Sequence, residues 1–226
     1  MPTNSVENYL KVIYSHQVES PQRRVKTKEI AGQLEVSLPS VSGMLKSLGE
    51  EGLVDYKPYK GARLTDEGRT MALKVIRNHR LIEVFLVKTL DYSWDEVHAE
   101  AERLEHAVSD RLVQRIDAFL KHPKFDPHGD PIPSAEGELQ HREMLNLCDA
   151  QEGMAVRVER VLDQTPEVLR YLDRSGLRPG ATLTVEEVLS FDGQMFLNVD
   201  GEEVTISERL AGKMLVTERG ETDDER

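Results

Sequence analysis

Prolines at 123, 127, 131 and 133, with Gly129 among them, bar a regular helix from the middle of this chain. They divide it into two kinds of pattern. Ahead of them apolar residues recur at helical spacing, and behind them they alternate. A chain of 226 residues split in this way is expected to be mainly α with a small β part. Its length suits two domains, or one with a small satellite. No apolar run is long enough to cross a bilayer, so no membrane association is expected. Met1-Pro2-Thr3-Asn4 lacks the basic cluster and apolar core of a secretory signal. The one cysteine, Cys148, can form no internal disulfide, which fits a reducing cytosol.

The helical part opens with Tyr9, Leu10, Ile13 and Tyr14 on one stripe. Thr27 is placed to cap a helix carrying Ile30, Ala31 and Leu34. After Glu35-Val36, Ser37 is placed to cap a second helix, with Pro39 in its first turn and Val41, Met44, Leu45 and Leu48 as its apolar face. Leu53–Tyr56 and Ala62–Leu64 flank the turn-rich Lys57-Pro58-Tyr59-Lys60-Gly61, which predicts a two-stranded wing. Residues 1–70 are therefore expected to form a winged helix-turn-helix.

Thr65 should cap a long helix running to about Leu90, and Ser93-Trp94-Asp95-Glu96 reads as a capping box for the next. Leu81 to Val87 is apolar nearly all round, as in a core or a subunit interface. These helices are expected over residues 65–121, with a helical domain spanning residues 71–140. The proline-rich stretch then reads as an ordered loop followed by a linker. Asp192-Gly193 and Asp200-Gly201 are hairpin turn pairs, and Thr165-Pro166-Glu167 starts a short helix. Residues 151–220 are thus expected to form a small antiparallel barrel with a helical insertion. Glu221–Arg226 reads as a charged, frayed tail.

Charge is unevenly spread. The net is −12, but residues 1–70 hold ten Lys/Arg against nine Asp/Glu, while the remainder holds 19 against 32. A polyanion can meet only the first third; the rest repels phosphate and suits cations. Within that third, the start of the second helix offers Ser37, Pro39, Ser40, Ser42 and Gly43, small side chains that let a backbone approach base edges. Lys28, Lys46, Lys57, Lys60 and Arg63 are candidate phosphate contacts. Such a face, with few bidentate groups, should read DNA largely by shape and phosphate position.

His79 and Glu83 stand four apart on one helix. His98, Glu102, Glu105 and His106 follow at steps of four, three and one on the next, so most share a face. Six nitrogen and oxygen donors can hold one or two divalent ions. With no thiolate and several carboxylates, the set points to Mn(II) or Fe(II). Cys148 reads as inert, Tyr92 and Trp94 as packing residues, and His122, His128 and His141 as parts of loops, with His128 a candidate surface ligand.

Glu7-Asn8-Tyr9-Leu10-Lys11-Val12-Ile13-Tyr14, the winged helix, His79-Arg80-Leu81-Ile82-Glu83, the run Val97–His106 and Pro127-His128-Gly129-Asp130-Pro131-Ile132-Pro133 together resemble the diphtheria toxin repressor family. The resemblance covers nearly the whole chain. It implies cytosolic dimeric repressors activated by Fe(II) or Mn(II), with a helical dimerisation domain and an SH3-like (FeoA-like) third domain. It implies two metal sites. One would use His79, Glu83 and His98, completed near Glu167 with Asp163 or Gln164 beside it. The other would use Glu102, Glu105, His106 and, from the first helix, Asn8. Glu102 resembles the manganese-responsive branch, where the iron-responsive branch carries Cys. Lys11 stands where some manganese regulators place Glu.

The expected function is a Mn(II)- or Fe(II)-dependent homodimeric repressor that binds a near-palindromic site in double-stranded DNA and controls metal-homeostasis genes, without catalytic residues. A di-metal hydrolase would use the same donors but leave the winged helix without a role. A metal-independent winged-helix regulator would leave the histidines incidental. A metal buffer would bind ions and no DNA.

Overall fold

The computed structural model describes residues 4–18, 20 and 22–219. The tail reading for 221–226 and most of the N-terminal signal reading lie outside these residues. The chain forms two compact units. One comprises Met1–His79, Glu102–Gln114 and Pro133–Leu139; the other comprises Arg80–Ala101, Arg115–Ile132 and Gln140–Arg226.

The first unit starts with α1 (Asn4–Ser15), α2 (Thr27–Leu34) and α3 (Leu38–Glu50), then the antiparallel pair β1 (Val54–Lys57) and β2 (Gly61–Leu64). Its core joins Leu10 and Ile13 of α1, Ile30 of α2, Val41, Leu45 and Leu48 of α3, and Leu73 and Ile76 of α4 (Asp66–Leu90). Ser37 caps α3, its Oγ accepting from the Ser40 N–H at 3.3 Å. Thr65 does the same for α4 through the Gly68 N–H at 3.1 Å. At Gly68 a Cβ would lie 2.0 Å from the Leu53 carbonyl, so glycine is what lets α4 start against the root of the wing.

Two local readings need correction. Lys26, not Thr27, is the cap residue of α2, because the Glu29 carboxylate accepts the Lys26 N–H at 2.8 Å and fixes the entry one residue earlier. The helix after Ser93 is α5 (Val97–Leu104). Residues 94–96 form a turn in which the Ser93 carbonyl accepts from Glu96 and Val97.

The second unit carries α5 up to Ala101, the second half of α6 (Asp110–Phe119) and a six-stranded antiparallel sheet of SH3-like type. Its strands are β3 (Leu145–Asn146), β4 (Ala155–Val161), β5 (Thr182–Val188), β6 (Met195–Val199), β7 (Glu202–Ile206) and β8 (Met214–Glu218), in the order β3-β8-β4-β5-β6-β7. The inward row Val156, Val158, Val185, Leu197 and Val216 packs on Leu169 and Leu172 of α7 (Pro166–Arg174). Asp200 and Gly201 both have positive φ, as the tight β6–β7 turn requires. The linker reading is shortened: Leu145–Asn146 pairs with β8, and the buried Leu147 belongs to the sheet core.

Candidate metal centre and DNA interface

The exposed edge of α3 presents Ser37, Pro39, Ser40, Gly43 and Lys46, with Ser42 half-buried behind them. The apolar face of the same helix is spent on the core, so only this edge is open to a partner. A Cβ on Gly43 would meet nothing within 4 Å. The fold does not need glycine there, and the helix surface is open at that point. Lys57 and Lys60 are exposed on the wing, and Lys28 is exposed on α2. Arg63 is tied inward: its Nε donates to Asp55 at 3.1 Å and its guanidinium to Gln22 at 2.7 Å. Arg23, Arg24, Lys26 and Lys28 line a concavity of about 500 Å³ beside α2. They stand within six residues of one another in sequence, and the fold gathers them on one wall.

The histidine–carboxylate set divides into two clusters. In the first unit, Lys11 on α1 places its Nζ 2.5 Å from Glu102 Oε1 and 2.7 and 3.0 Å from the two oxygens of Glu105. Glu105 Oε2 also lies 2.5 Å from His79 Nδ1. His79, Glu102 and Glu105 each offer a ligand atom within 4.8 Å of the others. His106 Nδ1 meets Glu7 Oε2 at 2.5 Å. Its Nε2 is buried without a hydrogen-bond partner, 3.2 Å from Glu105 Oε1. A carboxylate on one ring nitrogen leaves the other as a metal donor, oriented and basic. Asn8 Oδ1 is likewise buried without a hydrogen-bond partner. Unpartnered nitrogen and oxygen donors amid carboxylates fit a divalent cation.

The quartet His98, Glu102, Glu105 and His106 does not share one helical face. Helix α5 ends at Leu104, and Glu105 and His106 sit in the turn beyond it. That turn aims them at α1, while His98, at the start of α5, meets Glu83 in the other unit.

There, His98 Nδ1 stands 3.2 Å from Glu83 Oε1, and His128 Nδ1 stands 3.9 Å from Glu83 Oε2. Glu83, Asp126 and His128 are all buried, each with a ligand atom within 4.8 Å of the others. His128 is fully enclosed, not the surface ligand its Pro/Gly context suggested, because it stacks on Trp94 at 5.8 Å between ring centroids. Its Nε2 must donate to the Trp94 carbonyl at 2.7 Å, which leaves the Nδ1 lone pair without a hydrogen-bond partner. Asp126 Oδ1 accepts the N–H groups of His128 and Asp130 at 2.8 and 2.9 Å, which shapes the loop. Burial, with the nearby charges of Asp130 and Glu83, pushes the Asp126 carboxyl well above the usual carboxylate range. Protonation relieves this crowding, and so would a cation. His79 lies one turn before Glu83 on α4.

Comparison with known proteins agrees with this assembly. Residues 1–62 match the N-terminal DNA-binding domain of iron-dependent repressors, and residues 65–134 match the metal-binding and dimerisation domain of the same proteins. Residues 145–218 match the FeoA domain. The iron-dependent repressor IdeR of Mycobacterium leprae is 33% identical, over 92% of this chain and 94% of its own. The chain belongs to the iron-dependent repressor family. The diphtheria toxin repressor of Corynebacterium diphtheriae, another member, is 30% identical over 95% of this chain and 97% of its own. A manganese-dependent transcriptional repressor solved in complex with manganese shares 42% identity, covers 95% of this chain and all of its own, and superposes with a TM-score of 0.86. As a family member the chain is a metal-dependent DNA-binding repressor with a dimerisation domain, and not an enzyme. Among the described residues no helix is long and apolar enough to cross a membrane.

Three expected repressor ligands have other partners. Gln164 Nε2 donates to Asp130 Oδ2 at 2.7 Å, Asp163 Oδ1 accepts from the Thr165 hydroxyl at 2.9 Å, and Glu167 is largely exposed, 3.7 Å from Arg170. Sequence reasoning did not single out Glu7 or Asp126, and it took His128 for a surface group where it is enclosed. The Asp-Pro-His-Gly-Asp turn was the available signal for the last two: a carboxylate and an imidazole held in a rigid loop. For Glu7 there was only its position one turn before Lys11.

Proposed function

We propose that this repressor is a homodimer switched by Mn(II), with Fe(II) as the second candidate, and that it closes a near-palindromic operator of metal-homeostasis genes in the cytoplasm. The observation that carries the reading is the attachment of α1 to the acidic cluster. Glu7 holds His106, and Lys11 holds Glu102 and Glu105. The same helix α1 supplies Leu10, Ile13 and Tyr14 to the core on which α2 and α3 rest. The seat of α1 on the cluster therefore governs the pose of the reading helix.

Glu102, Glu105 and His106, with the Asn8 carbonyl oxygen from α1, are assigned to one ion. His79, Glu83 and His98 are assigned to the second, with Asp126 and His128 as further donors around Glu83. Asp163, Gln164 and Glu167 remain as support near that site. A bound dication supplies positive charge that cancels the mutual repulsion of these carboxylates. Glu7 and His79 orient rings and carboxylates, Asn8 and His106 join α1 to the turn after α5, and α3 is thereby held in its DNA-reading pose. Carboxylate and imidazole donors without a thiolate favour Mn(II) and Fe(II) over softer ions.

On the DNA, Ser37, Pro39, Ser40, Ser42 and Gly43 are assigned to the major groove. Lys28, Lys46, Lys57, Lys60 and Arg63 are assigned to the backbone, with Arg23, Arg24 and Lys26 as additions. Arg63 would have to exchange its Asp55 and Gln22 partners for phosphate. Two such heads related by a two-fold axis read a near-palindrome.

The test is capture of genomic DNA fragments by metal-stripped protein with Mn(II), with Fe(II) under anaerobic conditions, or with chelator. Fragments enriched only with one metal support the switch and identify both operator and ion. Equal enrichment with chelator removes metal as the trigger.

A further inference from the structure

We propose that Lys11 is a resident cation of the cluster on α1: its ammonium takes a second cation position, so that the cluster accepts one divalent ion and not two. This rests on the assignment of Glu102, Glu105 and His106 to a metal.

Lys11 makes three charge-assisted contacts, to one oxygen of Glu102 and both oxygens of Glu105. An ammonium has three donors, and here they fall on two carboxylates that a metal would otherwise share. The side chain of Lys11 is only 20% exposed and that of Glu105 is fully enclosed, so water screens their contact weakly, while the Glu102 side chain, 39% exposed, is screened more. The contact is therefore part of the built site and unlike a surface ion pair.

Charge balance leads to the same stoichiometry. Glu7, Glu102 and Glu105 carry three negative charges, and Lys11 returns one positive charge. The remaining two negative charges match one dication. A second dication would leave a net positive cluster among part-buried groups, an unfavourable state. The donors without hydrogen-bond partners are also those of a single ion. They are His106 Nε2, on a side chain 6% exposed, and Asn8 Oδ1. Lys11 stands one turn after Glu7, so a carboxylate at position 11 would replace the ammonium with a fourth acidic ligand on the same face.

The experiment counts Mn(II) per full-length chain by elemental analysis after equilibrium dialysis, and records the Mn(II) electron paramagnetic resonance spectrum at saturation. Far-UV circular dichroism checks the fold of each variant. The native chain should show no exchange-coupled pair at this cluster. Lys11→Glu should bind one more ion per chain and gain a coupled signal, as expected for ions about 3.5–4 Å apart. Lys11→Met, which removes the charge without adding a donor, should tighten Mn(II) binding by at least about tenfold. A coupled pair in the native chain, an unchanged count and spectrum in folded Lys11→Glu, or weaker binding by Lys11→Met would each overturn the proposal. His106→Ala tests the underlying assignment separately. It should lose one ion, and an unchanged count would overturn the metal reading of the cluster itself, whatever Lys11 does.

Discussion

The cluster on α1 and the cluster around Glu83 draw on the same helix, α4, and on the same donor chemistry, yet they are held differently. Around Glu83 two of the donors, Asp126 and His128, are fixed by backbone. Asp126 is locked by two N–H groups of its own loop, and His128 by the Trp94 carbonyl and ring. On α1 the donors are fixed by each other: Lys11, Glu7, His79, Glu102, Glu105 and His106 form a chain of side-chain contacts. A backbone-held site keeps its shape whatever it binds. A side-chain network changes its balance when one charge is added, and this one includes a helix of the DNA-reading head. The lesson is that similar ligands can serve a rigid site and a responsive one, according to what positions them.

The largest expected effect would break the rigid cluster. Gly129 has φ +88°, and a Cβ there would lie 1.9 Å from the Glu159 carbonyl. Gly129→Ala should cost about 3 kcal/mol in denaturant unfolding, because neither the backbone nor a flexible tip can yield. It should also remove ion binding at Glu83, and full retention of both would show that the loop is not what fixes this site.

Breaking the responsive cluster should leave the fold nearly intact and affect regulation. His106→Ala is expected to abolish the metal stimulation of operator binding, a coupling of about 1–3 kcal/mol. Fluorescence anisotropy with a labelled operator, with and without Mn(II), measures it. A metal response equal to that of the native chain would detach the cluster from the switch. Ser37→Ala sharpens the comparison from the other end. It removes the cap of α3 while leaving every donor in place, and should lower stability by about 1 kcal/mol with Mn(II) affinity unchanged in the absence of DNA. Calorimetry gives both quantities.

The smallest effect concerns the wing. The hydrogen bond from Arg24, opposed in part by desolvation and aided by the charges of Arg24, Lys57 and Arg63, holds the Asp55 carboxyl below its usual range. A depressed carboxylate stabilises the fold above its unfolded value, near pH 3.9, and loses that contribution as pH falls through the folded value. Asp55→Asn should therefore be slightly less stable than the native chain at pH 7. The two should converge in acid, below the folded value, in thermal melts across pH. A gap that widens towards acid would reverse the assigned sign.

Much of this molecule was legible before any tertiary information. Ser37 and Thr65 cap helices where their spacing to the first apolar residue placed them. The Asp200-Gly201 turn follows from the conformational limits of single residues. These are local effects, decided within four or five residues of chain. The errors at Thr27 and at the start of α5 were also local, where a neighbouring carboxylate or a preceding turn competed for the same N–H groups.

The donors were legible as types and misread in arrangement. His98, Glu102, Glu105 and His106 look like one helical face because sequence spacing assumes that the helix continues. It ends at Leu104, and the turn sends Glu105 and His106 to α1. Whether Lys11 meets solvent or two carboxylates, whether Glu7 holds an imidazole, and whether His128 is surface or core depend on segments that lie 34 to 99 residues apart in the chain. Sequence alone determined the helices, the wing, the strands and the inventory of charges, because each of those is set by neighbours along the chain. Only tertiary structure decided which charges share a site, because desolvation and pairing act through space, and the strength of both depends on what else is buried there.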